Sequence, residues 1–294
     1  MNNLILELEQ YLINRRYSFN TVSSRLRDVN YFFEWLKFQN INYLEVGYAD
    51  ILSYVRFCKM RENKQATIKQ KVKSVQFFYE FLEFEKLIKH NPCEEIKLRA
   101  GIKRIPNNLL DWEELEELYD KIPTKNATGK RNKVILSLMI YQGLETGAIS
   151  KLKLEDVKLE EGKIYIPKTA RGNSRTLDLK ANQILHFQQY LTLVRPYLLS
   201  LKDQENEQLF FSYGAGKRLN SLLTNLVKTL RDINSKVTGI RQIRTSVITH
   251  WLSIHNLREV QYLAGHRYVS STEYYRIDKL ENLQEQIENL HPLS

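Results

Sequence analysis

Apolar residues recur at helical spacing along almost the whole chain, and the period changes only once, between Lys163 and Leu179. That one change sets the architecture to expect: a helical protein with a single small β element. In the first ninety residues Leu4, Leu8, Leu12 and Ile13 share one helical face. Asn20 or Thr21 is placed to cap a second helix carrying Val22, Leu26, Val29, Phe32, Phe33 and Leu36. A third helix is expected from about Asp50 to Met60. A fourth carries Ile68, Val72, Val75, Phe78, Tyr79 and Leu82. Together they predict a four-helix unit with no strand-like stretch.

The pattern breaks at His90-Asn91-Pro92, where proline removes a donor and its predecessor avoids the helical region. From Glu94 to Leu109 helical periodicity is missing, and Lys97, Arg99, Lys103 and Arg104 cluster ahead of Pro106. The organisation read from this is an N-terminal domain over 1–88, a basic linker over 89–108 and a second domain over 109–294. Such a linker suits a phosphate backbone, or is simply solvated.

In the second domain Asp111 is a plausible cap for a helix over Trp112–Lys121. A strongly apolar helix follows from Val134 to Tyr141. Ile164 and Ile166 alternate, a polar turn intervenes, and Leu177 and Leu179 alternate again, which reads as a β-hairpin. Further helices are expected over Ile184–Leu199, Ser221–Asn234, Gln242–Ile254, Leu257–Ala264 and Lys279–Leu290. The fold class is therefore mainly α with a small β-sheet.

The chain has 294 residues, 43% of them hydrophobic, enough for two cores. Lys and Arg number 44 against 34 Asp and Glu, a formal charge of +10. Such a balance draws a protein to polyanions, so a nucleic acid, either RNA or double-stranded DNA, is the partner to weigh first. Cys58 and Cys93 stand alone, which fits a reducing cytosol better than a disulfide framework. No signal peptide and no membrane-spanning run is evident, so a cytoplasmic location is expected. His250 and His255 are five apart, the wrong spacing for one helical face, and neither metal nor cofactor is expected.

Arg244 gives the sharpest argument from residues alone. Ile243, Val247, Ile248, Trp251 and Leu252 cover one arc of their helix, and Arg244 falls in the middle of it. A guanidinium on an inward face costs several kcal/mol unless it meets an anion. That anion is either a buried carboxylate or a phosphate held by a rigid fork of donors. Further on, Gly265 can end a helix and leave His266 at its mouth, and Tyr274-Tyr275 follows. Taken singly, a histidine or a tyrosine pair is more often a packing residue than a catalyst.

Taken together these residues resemble the tyrosine recombinases of the phage integrase family. Arg244 matches the arginine of the family's His-x-x-Arg segment, and Gly265-His266 matches its Gly-His. The nine-residue spacing from His266 selects Tyr275 over Tyr274. Gly143-Leu144 and the stretch Leu152 to Asp156 resemble the segment around the family's first arginine. Ser174-Arg175-Thr176-Leu177 resembles the strand pair that carries its lysine. The resemblance implies an N-terminal DNA-clamping domain and a C-terminal α+β catalytic domain. It implies a metal-free reaction in which Tyr275 attacks a phosphodiester, leaving a 3′-phosphotyrosine and a 5′-hydroxyl. Arg244 would clamp the phosphate, His266 would donate to it, and Lys168 would protonate the leaving oxygen, with Arg171 able to reach the same place. It further implies a homotetramer on two DNA sites, docked through the last helix, and possible service to a mobile element.

Two positions depart from the pattern. Glu145 stands where the family has its first arginine, and Arg241 stands at the histidine of His-x-x-Arg. A carboxylate beside a phosphate is repulsive. Arg241 lies one helical turn before Arg244, so it could supply the missing charge. The expectation is an active site-specific recombinase or integrase. The alternatives are a catalytically impaired DNA-binding protein on the same fold, and a relaxase of the topoisomerase type.

Overall fold

Ser18, in extended backbone, accepts a hydrogen bond from the Thr21 N–H at 3.3 Å and opens a long amphipathic helix. The cap is therefore two residues before Asn20 and three before Thr21. In the computed structural model the described residues are 2–98, 108–170, 172–201, 206–212 and 219–276. They fall into two compact units, Met1–Lys103 and Arg104–Ser294.

The first unit is four helices: α1 (Asn2–Asn14), α2 (Phe19–Gln39), α3 (Tyr48–Met60) and α4 (Gln65–Phe84). Its core is aromatic. Phe32 meets Tyr54 edge-on at 4.8 Å between centroids, and Phe33 meets Phe78 at 5.1 Å. Edge-to-face rings satisfy the π quadrupole while burying large areas. One carboxylate, Asp28, is buried on α2. Ser74 and Gln70 of α4 donate to it at 3.0 and 3.1 Å, so its lone pairs are satisfied across the helix pair. Of the expected linker, residues 89–98 pack on this unit. Asn91 and Cys93 are buried, Ile96 and Leu98 lie against the same core, and Asn91 donates to the Gln76 carbonyl at 3.3 Å. An Asx turn, Cys93 N–H to Asn91 Oδ1 at 2.9 Å, gives this stretch its fold without helical periodicity. Residues 99–107 lie outside the described part, and with them Arg99, Lys103 and Arg104.

The second unit opens with α5 (Trp112–Lys121), whose cap Asp111 accepts from Glu114 N–H at 2.7 Å while Glu114 accepts from Asp111 N–H. The next helix, α6 (Ala127–Tyr141), starts earlier than its apolar run suggests. Asn126 caps it, and Arg131 and Lys133 are buried because Arg131 donates to the Phe211 carbonyl and the Lys133 ammonium sits over the Tyr119 ring. Val134, Ile135, Leu136, Leu138, Met139 and Ile140 are all fully buried, as a helix apolar on every side must be. A short helix, α7 (Thr146–Ile149), follows.

Three antiparallel strands, β1 (Val157–Lys158), β2 (Lys163–Ile166) and β3 (Arg175–Asp178), pair in the order β1-β2-β3, with Ile164 opposite Leu177 and Ile166 opposite Arg175. The two-residue β1 is too short to show alternation. The stretch expected as one helix over Ile184–Leu199 is α8 (Ala181–Gln189), a π turn over Tyr190–Val194 and α9 (Arg195–Ser200). Pro196 lacks the N–H that a regular turn there requires, and the widened turn accommodates it. The unit is completed by α10 (Leu219–Ile233), α11 (Ile240–Ile254), α12 (Leu257–Ala264) and a helical stretch over 270–276. The helix expected over Lys279–Leu290 lies outside the described residues.

Candidate active site

Arg244 projects from the middle of α11 and meets no carboxylate in an ion pair among the described residues. Carbonyls hold its fork instead: Nη1 donates to Gly143 and Nη2 to Ala264 at 2.8 Å. Nη2 also lies 3.2 Å from His266 Nε2. Of the two anions that sequence left open, the buried carboxylate is therefore not what holds Arg244. Burial lowers its pKa, while the Glu145 carboxylate and Tyr275 act the other way. A cation fixed by neutral carbonyls keeps its full charge for an incoming anion.

The ends of two helices supply those carbonyls. Gly143 follows α6 at φ +58°, and Gly265 closes α12 at φ +69°, conformations that side chains with a Cβ rarely adopt. The closure is a Schellman pattern, His266 N–H to Gln261 carbonyl at 3.0 Å and Gly265 N–H to Tyr262 carbonyl at 2.9 Å. It delivers His266 from the end of α12 onto Arg244. The other ring nitrogen, Nδ1, lies 2.9 Å from Oγ1 of Thr272, which is fully buried. Burial, then Arg244, then Arg175 push the His266 pKa down to about 4, so the ring is neutral near pH 7.

Tyr275 lies on the helical stretch over 270–276, half-buried, its ring stacked on His266 at 5.8 Å and 9°. Tyr274 meets Tyr275 edge-on at 5.4 Å, and among the described residues it is Tyr275, not Tyr274, that stacks on the histidine. Burial raises the Tyr275 pKa. Arg244 and Arg241 oppose that rise, and Tyr274 and Glu145 add to it. Arg241, exposed on α11, thus lies within electrostatic reach of Tyr275.

A residue that sequence reasoning passed over completes the cluster. Arg175 on β3 is buried, and its Nε donates to the Leu263 carbonyl at 2.8 Å. Its pKa is lowered to about 10, by burial and then by Arg244, with Glu145 and Tyr262 opposing. The hairpin is anchored to the same corner. Asn173 N–H donates to the Gly265 carbonyl at 2.9 Å, and Gly172 bridges to His266. The signal was present in the alternation: counting back by two from Leu179 and Leu177 places Arg175 on the inward face.

The other expected residues are not among these contacts. Lys168 is exposed, and of the contacts among described residues it supplies only its carbonyl, which accepts from Lys151 Nζ at 3.2 Å. Lys97 is exposed in the first unit, and Arg171 lies outside the described residues. Glu145 precedes α7 and forms no ion pair among the described residues, yet its charge acts on Arg244, Arg175 and Tyr275 alike. Among the described residues, no group of three or more His, Cys, Asp or Glu could hold a metal ion, and no helix is long and apolar enough to cross a membrane.

Comparison with known proteins bears on the chain as a whole. Residues 108–281 match the profile described as "Phage integrase family", and residues 5–86 match "Phage integrase, N-terminal SAM-like domain". The tyrosine recombinase XerC of Bacillus licheniformis is 28% identical over 298 residues, covering 99% of this chain and 96% of that protein. The tyrosine recombinase XerD of Listeria innocua is 26% identical over 306 residues, covering 99% of both. In fold, the chain is similar to the crystal structure of the XerH site-specific recombinase bound to palindromic difH substrate, with a TM-score of 0.71 at 19% identity, over 93% of this chain and 81% of that one.

Proposed function

From a chain that belongs to the phage integrase family, we propose a site-specific DNA recombinase that cuts and rejoins strands through a 3′-phosphotyrosine at Tyr275. The observation that supports this most is the meeting of Arg244, His266 and Tyr275, with the guanidinium against the imidazole and the imidazole stacked on the phenol. In this reading the Tyr275 oxygen attacks the scissile phosphorus and displaces the 5′ oxygen of the next nucleotide. Arg244 and His266 donate to the nonbridging oxygens, where charge grows in the transition state. Lys168 or Arg171, on the hairpin between β2 and β3, protonates the leaving oxygen. The phosphotyrosine conserves the energy of the broken bond, so a 5′-hydroxyl from another strand can reverse the step without a nucleotide cofactor. Arg241 supplies part of the positive charge that Glu145 withdraws. Lys97, Arg99, Lys103 and Arg104 in the segment 89–108 contact DNA phosphates, and the last helix, 279–290, joins four copies on two DNA sites.

A second reading is a DNA-binding protein that no longer cuts. One observation favours it: Glu145 places a negative charge where Arg244, Arg175 and Tyr275 all feel it. The deciding experiment uses nicked duplexes drawn from the DNA flanking the gene, incubated with the full chain and resolved under denaturing conditions. The recombinase reading expects a covalent protein–DNA adduct that Tyr275→Phe abolishes and Tyr274→Phe retains. Binding to such DNA with no adduct on any of them establishes the second reading.

A further inference from the structure

The two ring nitrogens of His266 face partners of opposite flexibility. Nε2 lies 3.2 Å from Arg244 Nη2, and a guanidinium has donors only. Nε2 therefore presents its lone pair, and the single proton of the neutral ring sits on Nδ1. Nδ1 faces Thr272 Oγ1 at 2.9 Å, so the hydroxyl accepts. The nonbridging oxygen of a phosphodiester is an acceptor only. To hold one, Nε2 must carry the proton, and Nδ1 must then find a donor. A hydroxyl is the one neutral side-chain group that serves Nδ1 in both states simply by rotating its O–H.

We propose that Thr272 is a positioning residue that lets His266 exchange tautomers: its hydroxyl accepts from Nδ1–H in the DNA-free protein and donates to Nδ1 when a scissile phosphate is seated. The step is balanced. Nε2 takes one proton from water, and Nδ1 releases its proton to water during brief openings of the partly exposed ring away from Thr272, so the ring stays neutral and the proton count is unchanged. Thr272 is fully buried, so water does not compete for the Nδ1 side, while His266 itself is partly exposed and open to exchange. In the DNA-free protein the charges facing the ring, Arg244 and Arg175, are both positive and disfavour an imidazolium, so the ring meets the phosphate neutral and can offer Nε2–H by exchanging tautomers. The proposal rests on the reading that this site seats a DNA phosphate.

The test is ¹⁵N NMR of the full chain labelled at its six histidines, with the His266 signals assigned by His266→Gln. The expected spectrum has Nδ1 protonated in the free protein and Nε2 protonated with a nicked duplex bound. In parallel, the rate of adduct formation is measured for Thr272→Val, which removes the hydroxyl at nearly constant shape, and for Thr272→Ser, which keeps it. Valine should slow the adduct about tenfold to a hundredfold, the scale seen when a metal-bound histidine loses the partner that orients it. Serine should restore most of the rate. Nε2–H in the free protein, both nitrogens protonated with DNA bound, or serine as slow as valine overturns the proposal. An adduct with no change of tautomer also overturns it and leaves the recombinase reading standing. A change of tautomer without any adduct does the reverse.

Discussion

The guanidinium of Arg175 fills the space beside Gly265 that a Cβ would need. Built on residue 265, a Cβ would overlap Nη1 and come within 2.7 Å of Cζ, at a residue already held at φ +69°. Gly265→Ala therefore carries two penalties. The left-handed backbone alone costs about 1–2 kcal/mol for a residue with a Cβ, and Arg175 must also leave its bond to Leu263. The expected result is a lower denaturant midpoint and loss of adduct formation, both measurable on the full chain. An alanine variant with wild-type stability and rate would mean that the corner between α12 and His266 is not rigid.

Arg175 itself offers a separable test. It fixes the end of α12 by a hydrogen bond and adds charge beside His266. Arg175→Lys keeps the charge and loses the planar fork, and Arg175→Met loses both. Both variants should slow the adduct, by about a hundredfold if the role matches that of one fixed donor in an oxyanion site. Only methionine should raise the His266 pKa above about 4, because only it removes the positive neighbour. NMR titration of the assigned His266 signal reads that difference.

The contrast between Arg244 and Arg175 shows how far sequence carries. Arg244 was legible because a charge in the middle of the apolar arc of a fifteen-residue helix stands out. Arg175 sits in a four-residue strand, where one inward charge among so few positions is easily assigned to the turn. Helix cores were legible for the same reason of length, and α5 and α12 have the expected ends because Asp111, Asn256 and Gly265 cap them. The early start of α6 was hidden, since its first turns carry Arg131 and Lys133, charged residues whose burial depends on partners distant in sequence. Strand β1 and the π turn before Pro196 depend on tertiary pairing and on one missing N–H, which periodicity does not register.

The depressed pKa of His266 has a consequence for stability. The folded value is about 4 and the ordinary value is 6.5, so between those limits the unfolded chain binds the proton and the folded chain does not. Stability from this group is present above pH 6.5 and is lost as pH falls toward 4, by at most about 1.4 kcal/mol per pH unit. Denaturant midpoints measured from pH 7 to pH 4.5 should fall less steeply for His266→Gln than for the wild type. Equal slopes would show that the imidazole is solvated and free to charge.

The last prediction concerns the carboxylate whose charge acts on the cationic cluster. Glu145 raises the pKa of Tyr275, the group that must lose its proton to attack, and it offsets the charge of Arg244 and Arg175. Replacing it with arginine reverses all three effects at once. If Glu145 faces the seated phosphate, Glu145→Arg should match or exceed the wild-type rate of adduct formation, and Glu145→Gln should fall between them. Arg241 probes the same balance from the other side. It lowers the Tyr275 pKa from an exposed position on α11, so Arg241→Ala should slow the reaction steeply. In the Glu145→Arg background the loss from Arg241→Ala should shrink, because the new guanidinium provides the charge that Arg241 otherwise supplies. A double-mutant cycle on the adduct rate measures that coupling. Strict additivity would show that Arg241 does not compensate for Glu145, and an inactive Glu145→Arg protein that still folds and binds DNA would show that Glu145 has a positive task in the reaction, such as accepting the Tyr275 proton.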